Sequence, residues 1–583
     1  MKRTSTIHAF FETAAQEPDR VALRHRLSPG RWSAMTRAEY AREVRRIARA
    51  LIALGVRPGE RIALCGPNRP EWLLSDLGAL AAGAIPAPYY PTLPAEQAAY
   101  VVEHSESVVA VVHDANQLAK LDAMRARLPR LRARVLMEGS APGALSWTEF
   151  VARSNEIPDS AVDERLEGLE SDALATLIYT SGTTGPPKAV MISHGNLLFA
   201  ADVVREQLDI RPGDELVSYL PLSHIAEQMC SLHSPSVNGY CIACCEKLEE
   251  LPEMLREVRP TLFVGVPRVW EKMQSRIEER LQQAAPRRRA LIRWAQKLAL
   301  ARARGERPLL HAAADALVLR KLRAALGLDR ARLLATAAAP IPRATLEFFE
   351  SLGMPLYELY GQSECTGATT ANTQEHRQVF SVGRPLPRTE LRLADDGEIL
   401  IRGPHVFLGY LKDAEATAAA LTPDGWLQTG DVGRIDRDGF LHITDRKKDL
   451  LITSGGKNVS PQNIEGQLTR IPGVAHAVVV GDARKHLVAL LALDRQAAVR
   501  EAQACGAAAG TVEALCVDPR FIERIARGVD EVNRGLASYE TIKKFRLLPV
   551  EFGIESGELT PTFKLRRKAV NQRFAREIEE LFG

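Results

Sequence analysis

Nine residues, Thr180–Lys188, read TSGTTGPPK and combine two glycines, two prolines, four hydroxyls and a lysine. Glycine lets a backbone approach an anion, Ser and Thr hydroxyls donate to its oxygens, and lysine adds charge, so this composition points to phosphate. The arrangement is not that of a P-loop, whose lysine directly follows its last glycine and opens a helix. Pro186 and Pro187 separate Gly185 from Lys188 and remove two N–H donors. Without a ligand, the same stretch reads as a Gly/Pro turn between strands.

Further residues of chemical interest stand in short, unusual contexts: His224 in LPLSHIAEQ, Glu364 in YGQSE, Asp431 in TGD, Arg446 in DRKKD and Lys564 in GELTPTFK. Each also has a plain structural reading. A histidine among apolar residues packs, a glutamate can cap a helix, and Lys564 runs on into Arg566, Arg567 and Lys568 as a solvated basic stretch. The cysteines Cys241, Cys244 and Cys245 contain a CxxC, but no second Cys or His pair lies nearby at ligand spacing, so a buried apolar strand is expected there.

The elements that must position these residues alternate along the chain. RIALCG from Arg61, SVVAVVHD from Ser107, TLFVGVP from Thr261 and ARLLATAAAP from Ala331 read as buried strands, with Ala- and Leu-rich helices such as EWLLSDLGALAAG between them. The fold class is therefore α/β, a large N-terminal region of stacked sheets with ligands collecting at strand ends. After Val382 the turn signals DDG, PDG and RDG recur, marking a β-rich subdomain over about 382–444. Residues 445–449, DRKKD, have no apolar side and read as a hinge between a large domain, 1–444, and a small α+β domain, 450–583. In 284–307 basic residues flank Leu291, Trp294, Leu298 and Ala301, which share one helical face; this is either a contact for anionic lipid or a surface helix with a solvated basic side.

At 583 residues, with 46% apolar and 25% charged content, the chain is an ordinary globular protein of several folding units. A net charge of +4, from 76 basic and 72 acidic residues, gives no reason to expect nucleic acid as the main partner. Eight cysteines make no disulfide framework, and the N-terminus lacks a signal-peptide core, so a cytoplasmic location is expected, with membrane contact only from the surface.

Taken in order, TSGTTGPPK, YGQSE, TGD, DRKKD and GELTPTFK resemble the motifs of the AMP-forming acyl-adenylating superfamily over nearly the whole chain. Within it, DGWLQTGDVGRIDRDGFLHITDRKKDLLITSGGKNVSP is similar to the signature of long-chain and very-long-chain fatty acyl-CoA synthetases. VSYLPLSHIAEQ, VGVPRVWEKM and GQSECTG look most like the bubblegum-type branch. The resemblance implies ATP, Mg²⁺ and CoA, and activation of a fatty acid to acyl-AMP before thioester formation. It assigns Thr180, Ser181, Gly182, Thr183, Thr184, Gly185 and Lys188 to the β and γ phosphates, and Glu364 with Thr184 to the metal. Ala338, Ala339, Tyr360, Gly361, Gln362, Asp431 and Arg446 fall to adenine and ribose, with alanines at 337 and 338 where the family often has glycine. Lys564 and His224 become catalytic, Lys448 the pivot of a mobile C-terminal domain, and Gly455 and Gly456 the side that meets CoA. Two other outcomes stay open: an acyl-AMP ligase that loads a carrier protein, and a binding protein on the same scaffold without catalysis.

Overall fold

The computed structural model describes residues 3–180, 186–454, 457–507, 511–554, 556–560 and 564–583. Contacts group the chain into two compact units. The first holds Met1–Leu391, Leu400–Gln428 and Gly439–Leu441, and the second Arg392–Ile399, Thr429–Asp438 and His442–Gly583.

In the first unit a nine-stranded sheet has a parallel centre, in the order Leu356–Gln362, Leu333–Thr336, Leu262–Gly265, Glu215–Ser218, Cys241–Cys244 and Val21–Ser28. Antiparallel strands close its edges, Gly367–Ala371 and Arg384–Pro385 on one side and Arg31–Thr36 on the other. A second sheet, all parallel, runs Ile85–Pro88, Arg61–Cys65, Val109–Val112, Ala133–Leu136 and Leu145–Ser146. Strands covered on both faces read as unbroken apolar runs, which is why RIALCG and SVVAVVHD are recognisable as strands. Pro86 and Pro88 sit in the edge strand, where a missing N–H is tolerated. Cys241–Cys244 is wholly buried, and burial pushes the thiols of Cys241 and Cys245 up to about 12, as expected of packing cysteines.

The turn-rich texture after Val382 becomes a four-stranded sheet, Glu390–Leu393, Glu398–Arg402, Leu427–Ile435 and Leu441–Arg446. Its DDG, PDG and RDG signals place Gly397, Gly425 and Gly439 at φ of +83°, +83° and +82°, the left-handed region where a side chain is strained. In the second unit Val474–Val480, Leu487–Leu493 and Ile542–Leu548 form a three-stranded sheet. Its residues alternate between two cores. Val479, Ala489 and Leu491 face helices Pro461–Leu468 and Pro519–Arg534, while Val478, Leu490 and Ala492 face the C-terminal helices.

The helix over Pro286–Ala303 packs a stripe next to the apolar face read from the sequence. It buries Ile292, Ala295 and Ala299 against Ala314, Val318 and Leu319, and leaves Leu291 half exposed. The two stripes lie one residue, about 100°, apart. A run this rich in Ala and Leu offers both; the second is fully buried, and Trp294 and Leu298 of the first pack partly buried against the same cluster.

Helix Pro70–Ala81 is buried almost all round, and Gly78 lies so close to helix Arg37–Ala53 that a Cβ would stand 2.5 Å from Ile47. Asp76 is therefore enclosed, its oxygens have no hydrogen-bond partner among the described residues, and burial pushes its pKa up to about 8. An unfolded aspartate titrates near 4, so the folded state binds the extra proton between those values, and stability falls as pH rises through them. Asp76→Asn should flatten the loss of melting temperature between about pH 5 and about pH 8. Equal slopes for the two proteins would show that Asp76 is not the group responsible.

Candidate active site

The phosphate-type stretch closes a hairpin. Strands Leu174–Thr180 and Lys188–Ser193 pair antiparallel with Thr180 opposite Lys188, so the intervening residues connect two strands rather than a strand and a helix. Ser181, Gly182, Thr183, Thr184 and Gly185 lie outside the described residues. A third strand, Gly409–Tyr410, pairs with Lys188–Ser193 and sets Tyr410 opposite Val190. The Lys188 ammonium stands 4.9 Å from the centre of the Tyr410 ring and 3.8 Å from Asp413 Oδ2. On its other side the Tyr410 hydroxyl donates to Glu364 Oε1 at 2.8 Å. Burial, and then the charge of Glu364, hold the Tyr410 phenol well above its ordinary range, so it remains a donor. Cation, phenol and carboxylate thus form a continuous chain beside the loop.

Glu364 occupies a short 3-10 turn, Ser363–Cys365, and its carbonyl accepts from Phe407 N–H at 2.9 Å. Tyr360, Gly361 and Gln362 end the strand before it, partly buried. Gly361 is forced there by close approach, since a Cβ would lie 1.6 Å from the Gly367 carbonyl oxygen. Next to it in the sheet, Thr336 pairs with Glu358, and the chain turns off into Ala338 and Ala339. Ala338 adopts φ +74°, so the alanine standing at a glycine-prone position carries left-handed strain of roughly 1 kcal/mol.

Strands Glu215–Ser218, Leu262–Gly265, Leu333–Thr336 and Leu356–Gln362 are parallel, so the segments leaving their C-terminal ends share one edge of the sheet. His224, Ala338–Ala339 and Tyr360–Gln362 are all delivered to that edge, the usual place for ligands in such sheets. His224 caps helix Ile225–Gln228, and its Nδ1 accepts from Ala226 N–H at 3.2 Å, which leaves Nε2 to carry the proton of the neutral ring.

One turn later comes a residue that the sequence reading passed over. Glu227 is buried, its Oε1 accepts from the Ser218 and Ser231 hydroxyls at 2.6 Å each, and burial raises its pKa to about 7. It ties the strand end to the helix that carries His224. Nothing in an isolated SHIAEQ distinguishes it from a surface glutamate, because its partners come from other elements.

In the second unit Asp431 and Arg446 pair, Oδ1 to Nε, at 3.2 Å, with Asp431 buried and Arg446 exposed. Gly430 N–H donates to Glu398 at 2.8 Å, and Lys447 bridges Glu398 and Asp396 at 2.8 and 2.6 Å, which fixes the strand carrying Asp431. Lys448 is exposed in the turn that follows; Gly455 and Gly456 lie outside the described residues. Lys564 N–H donates to Thr560 Oγ1 at 3.0 Å, and Thr560 N–H donates to the Lys564 carbonyl at 2.8 Å. The basic run after Lys564 is not solvated throughout. Arg567 grips Glu465 with two hydrogen bonds of 2.7 and 2.9 Å, anchoring the segment to helix Pro461–Leu468.

A Mg²⁺ ion held against phosphates commonly needs only one or two carboxylates from the protein. Glu364 suits that role, because among the described residues only its Oε1 is engaged, by a neutral donor. Lys188 stands close by to balance further phosphate charge.

A family model described as AMP-binding enzyme matches residues 10–411, and one described as AMP-binding enzyme C-terminal domain matches 448–583. The long-chain-fatty-acid--CoA ligase FadD15 of Mycobacterium tuberculosis is 38% identical over 592 residues, covering 98% of this chain and 96% of that protein. The long-chain-fatty-acid--CoA ligase ACSBG1 of Homo sapiens is 34% identical, covering 99% and 85%. Among solved structures, the adenylation domain of a carboxylate reductase from Mycobacterium chelonae aligns with a TM-score of 0.80 at 22% identity, over 100% of this chain and 92% of that one. The anthranilate CoA ligase AuaEII in complex with anthranoyl-AMP aligns at 0.75 and 21%, over 99% and 98%. The resemblance drawn from the motifs is borne out, and the solved structures share the fold.

Tyr410→Phe deletes only the hydroxyl between Lys188 and Glu364. It should raise the Mg²⁺ concentration for half-maximal pyrophosphate release about tenfold, as loss of a carboxylate's supporting partner does elsewhere. An unchanged Mg²⁺ titration would separate Glu364 from the metal.

Proposed function

The chain belongs to the AMP-binding enzyme family, and from that premise we propose that it is an AMP-forming long-chain fatty acid CoA ligase. A fatty acid carboxylate oxygen attacks the α-phosphorus of ATP, the bond to the bridging oxygen breaks, and pyrophosphate leaves. The CoA thiolate then attacks the acyl carbonyl, the carbonyl carbon to oxygen bond breaks, and AMP leaves with that oxygen. The first step crowds a carboxylate against a triphosphate, so its cost is electrostatic. The observation that carries the reading is the placement of Lys188 and Glu364 on either side of Tyr410 at the base of the hairpin loop.

In this reading the loop from Thr180 to Lys188 holds the departing pyrophosphate. Glu364, with Thr184, holds Mg²⁺, which when bound neutralises phosphate charge. Tyr360, Gly361 and Gln362 with Ala338 and Ala339 border adenine. Asp431 accepts from the ribose hydroxyls, with Arg446 held beside it. His224 borders the acyl carboxylate. Lys564 brings its ammonium to the carboxylate and α-phosphate in the first step. The small domain, 450–583, turns about Lys448 within 445–449 and offers Gly455 and Gly456 to CoA for the second. The protein works in the cytoplasm and meets the bilayer at its surface, where long-chain acids reside.

Two measurements test this. Pyrophosphate release with ATP and Mg²⁺ should be sustained by CoA and should peak at about C14 to C24, since each buried methylene adds roughly 0.8 kcal/mol. A burst that CoA does not sustain would assign the acyl group to a carrier protein, and silence with every acid would leave a binding protein. Lys564→Ala should slow acyl-AMP formation about a hundredfold or more while sparing thioester formation from preformed acyl-AMP. Equal loss of both half-reactions would remove that role from Lys564.

A further inference from the structure

The charge of this protein is distributed very unevenly. Residues 284–326 hold eleven basic and two acidic residues, a net of +9, while the whole chain carries +4, so the remainder of the molecule is net −5. This stretch is a helical excursion of the first unit, Pro286–Ala303 followed by the helical pieces His311–Ala314, Asp315–Leu319 and Arg320–Leu326. Nine of its eleven basic side chains are exposed, Arg287, Arg288, Arg293 and Lys297 among them. Within the stretch the ion pair among the described residues is that of Arg323 with Asp315 at 2.8 Å. Elsewhere exposed arginines are widely paired, as Arg130 with Glu106 or Arg343 with Glu347.

The same excursion exposes aliphatic side chains. Leu309 is 100% exposed, Leu317 63%, Leu310 57% and Leu291 50%, four of the ten large apolar residues the described surface leaves open. The helix Pro286–Ala303 seats Ile292, Ala295 and Ala299 inward with Trp294 and Leu298 packed partly buried against them, and leaves Leu291 at the surface one turn from Arg287. Leu309 and Leu310 follow two and three residues after Arg307.

We infer that residues 284–317 form a docking surface for an anionic phospholipid bilayer, the leucines entering the acyl boundary and the arginines meeting lipid phosphates. Unpaired cations alone would suit any polyanion. Exposed leucines among them gain nothing from a nucleic acid backbone, whereas an interfacial helix uses both features at once. The inference rests on the bilayer contact proposed above and gives it a location, in a segment other than those that carry Lys188, Tyr410 and Glu364.

The test is sedimentation of the full chain with vesicles, without ATP or CoA, so that its outcome is independent of ligase activity. Wild type should partition onto phosphatidylcholine vesicles containing about 30% phosphatidylglycerol, and added salt should weaken the binding. Pure phosphatidylcholine should retain little. The triple variant Arg287→Glu, Arg288→Glu, Arg293→Glu and the double variant Leu309→Ser, Leu310→Ser should each lower partitioning about tenfold with an unchanged melting temperature. Equal binding to neutral vesicles, or variants that bind as wild type does, would overturn the proposal. Tighter binding to duplex RNA than to vesicles, insensitive to the leucine changes, would overturn it in favour of a nucleic acid surface.

Discussion

Bringing a carboxylate against a triphosphate concentrates like charge in a small volume, and the arrangement around Lys188 can be understood from that constraint. The cation terminates a hairpin whose strands are buried and hydrogen-bonded in register, so it is delivered at a fixed place. The adjoining Gly409–Tyr410 strand sets the phenol across it, and the phenol spans to Glu364. A carboxylate and an ammonium placed directly together would neutralise each other. A neutral ring stands between Lys188 and Glu364, which leaves Glu364 available to a ligand, while the Lys188 ammonium has the Asp413 carboxylate at 3.8 Å. The parallel centre of the large sheet meets the same requirement on a larger scale by sending the His224, Ala338 and Tyr360 segments to one edge.

The first unit also encloses carboxyl groups that ordinary cores exclude. Glu227 and Glu358 are both raised to about 7 by burial, and each keeps a hydrogen-bond donor: serine hydroxyls for Glu227, and the Phe380 N–H at 3.1 Å for Glu358. Asp76 has none among the described residues. Glu227 and Glu358 belong to segments at or near the strand ends that carry His224 and Tyr360, where polar groups tie separate elements together, while Asp76 lies inside a helix. Buried polar groups near a site are worth more as positioning devices than as contributions to stability.

Much of this was legible in the sequence because it depends on local pattern. Parallel strands announce themselves as apolar runs, and the DDG, PDG and RDG turns each needed the left-handed glycine that the structure shows. The alanine at 338, out of place beside a glycine-prone pattern, does sit at positive φ. What escaped depends on pairing between distant segments. Tyr410 reaches the loop through a strand register spanning some 220 residues, and Arg567 finds Glu465 over 102. Leu291 and Ile292 were equally good by period, and only packing against Val318 and Leu319 shows that Ile292 is buried and Leu291 half exposed.

The most direct measurement of the central claim follows oxygen. A long-chain acid labelled with ¹⁸O in its carboxylate is turned over with ATP, Mg²⁺ and CoA, and the products are weighed by mass spectrometry. Attack of the carboxylate on the α-phosphorus requires one labelled oxygen in AMP and none in pyrophosphate. ADP with label in inorganic phosphate, or unlabelled AMP, would contradict the acyl-adenylate and with it the role given to the loop beside Lys188.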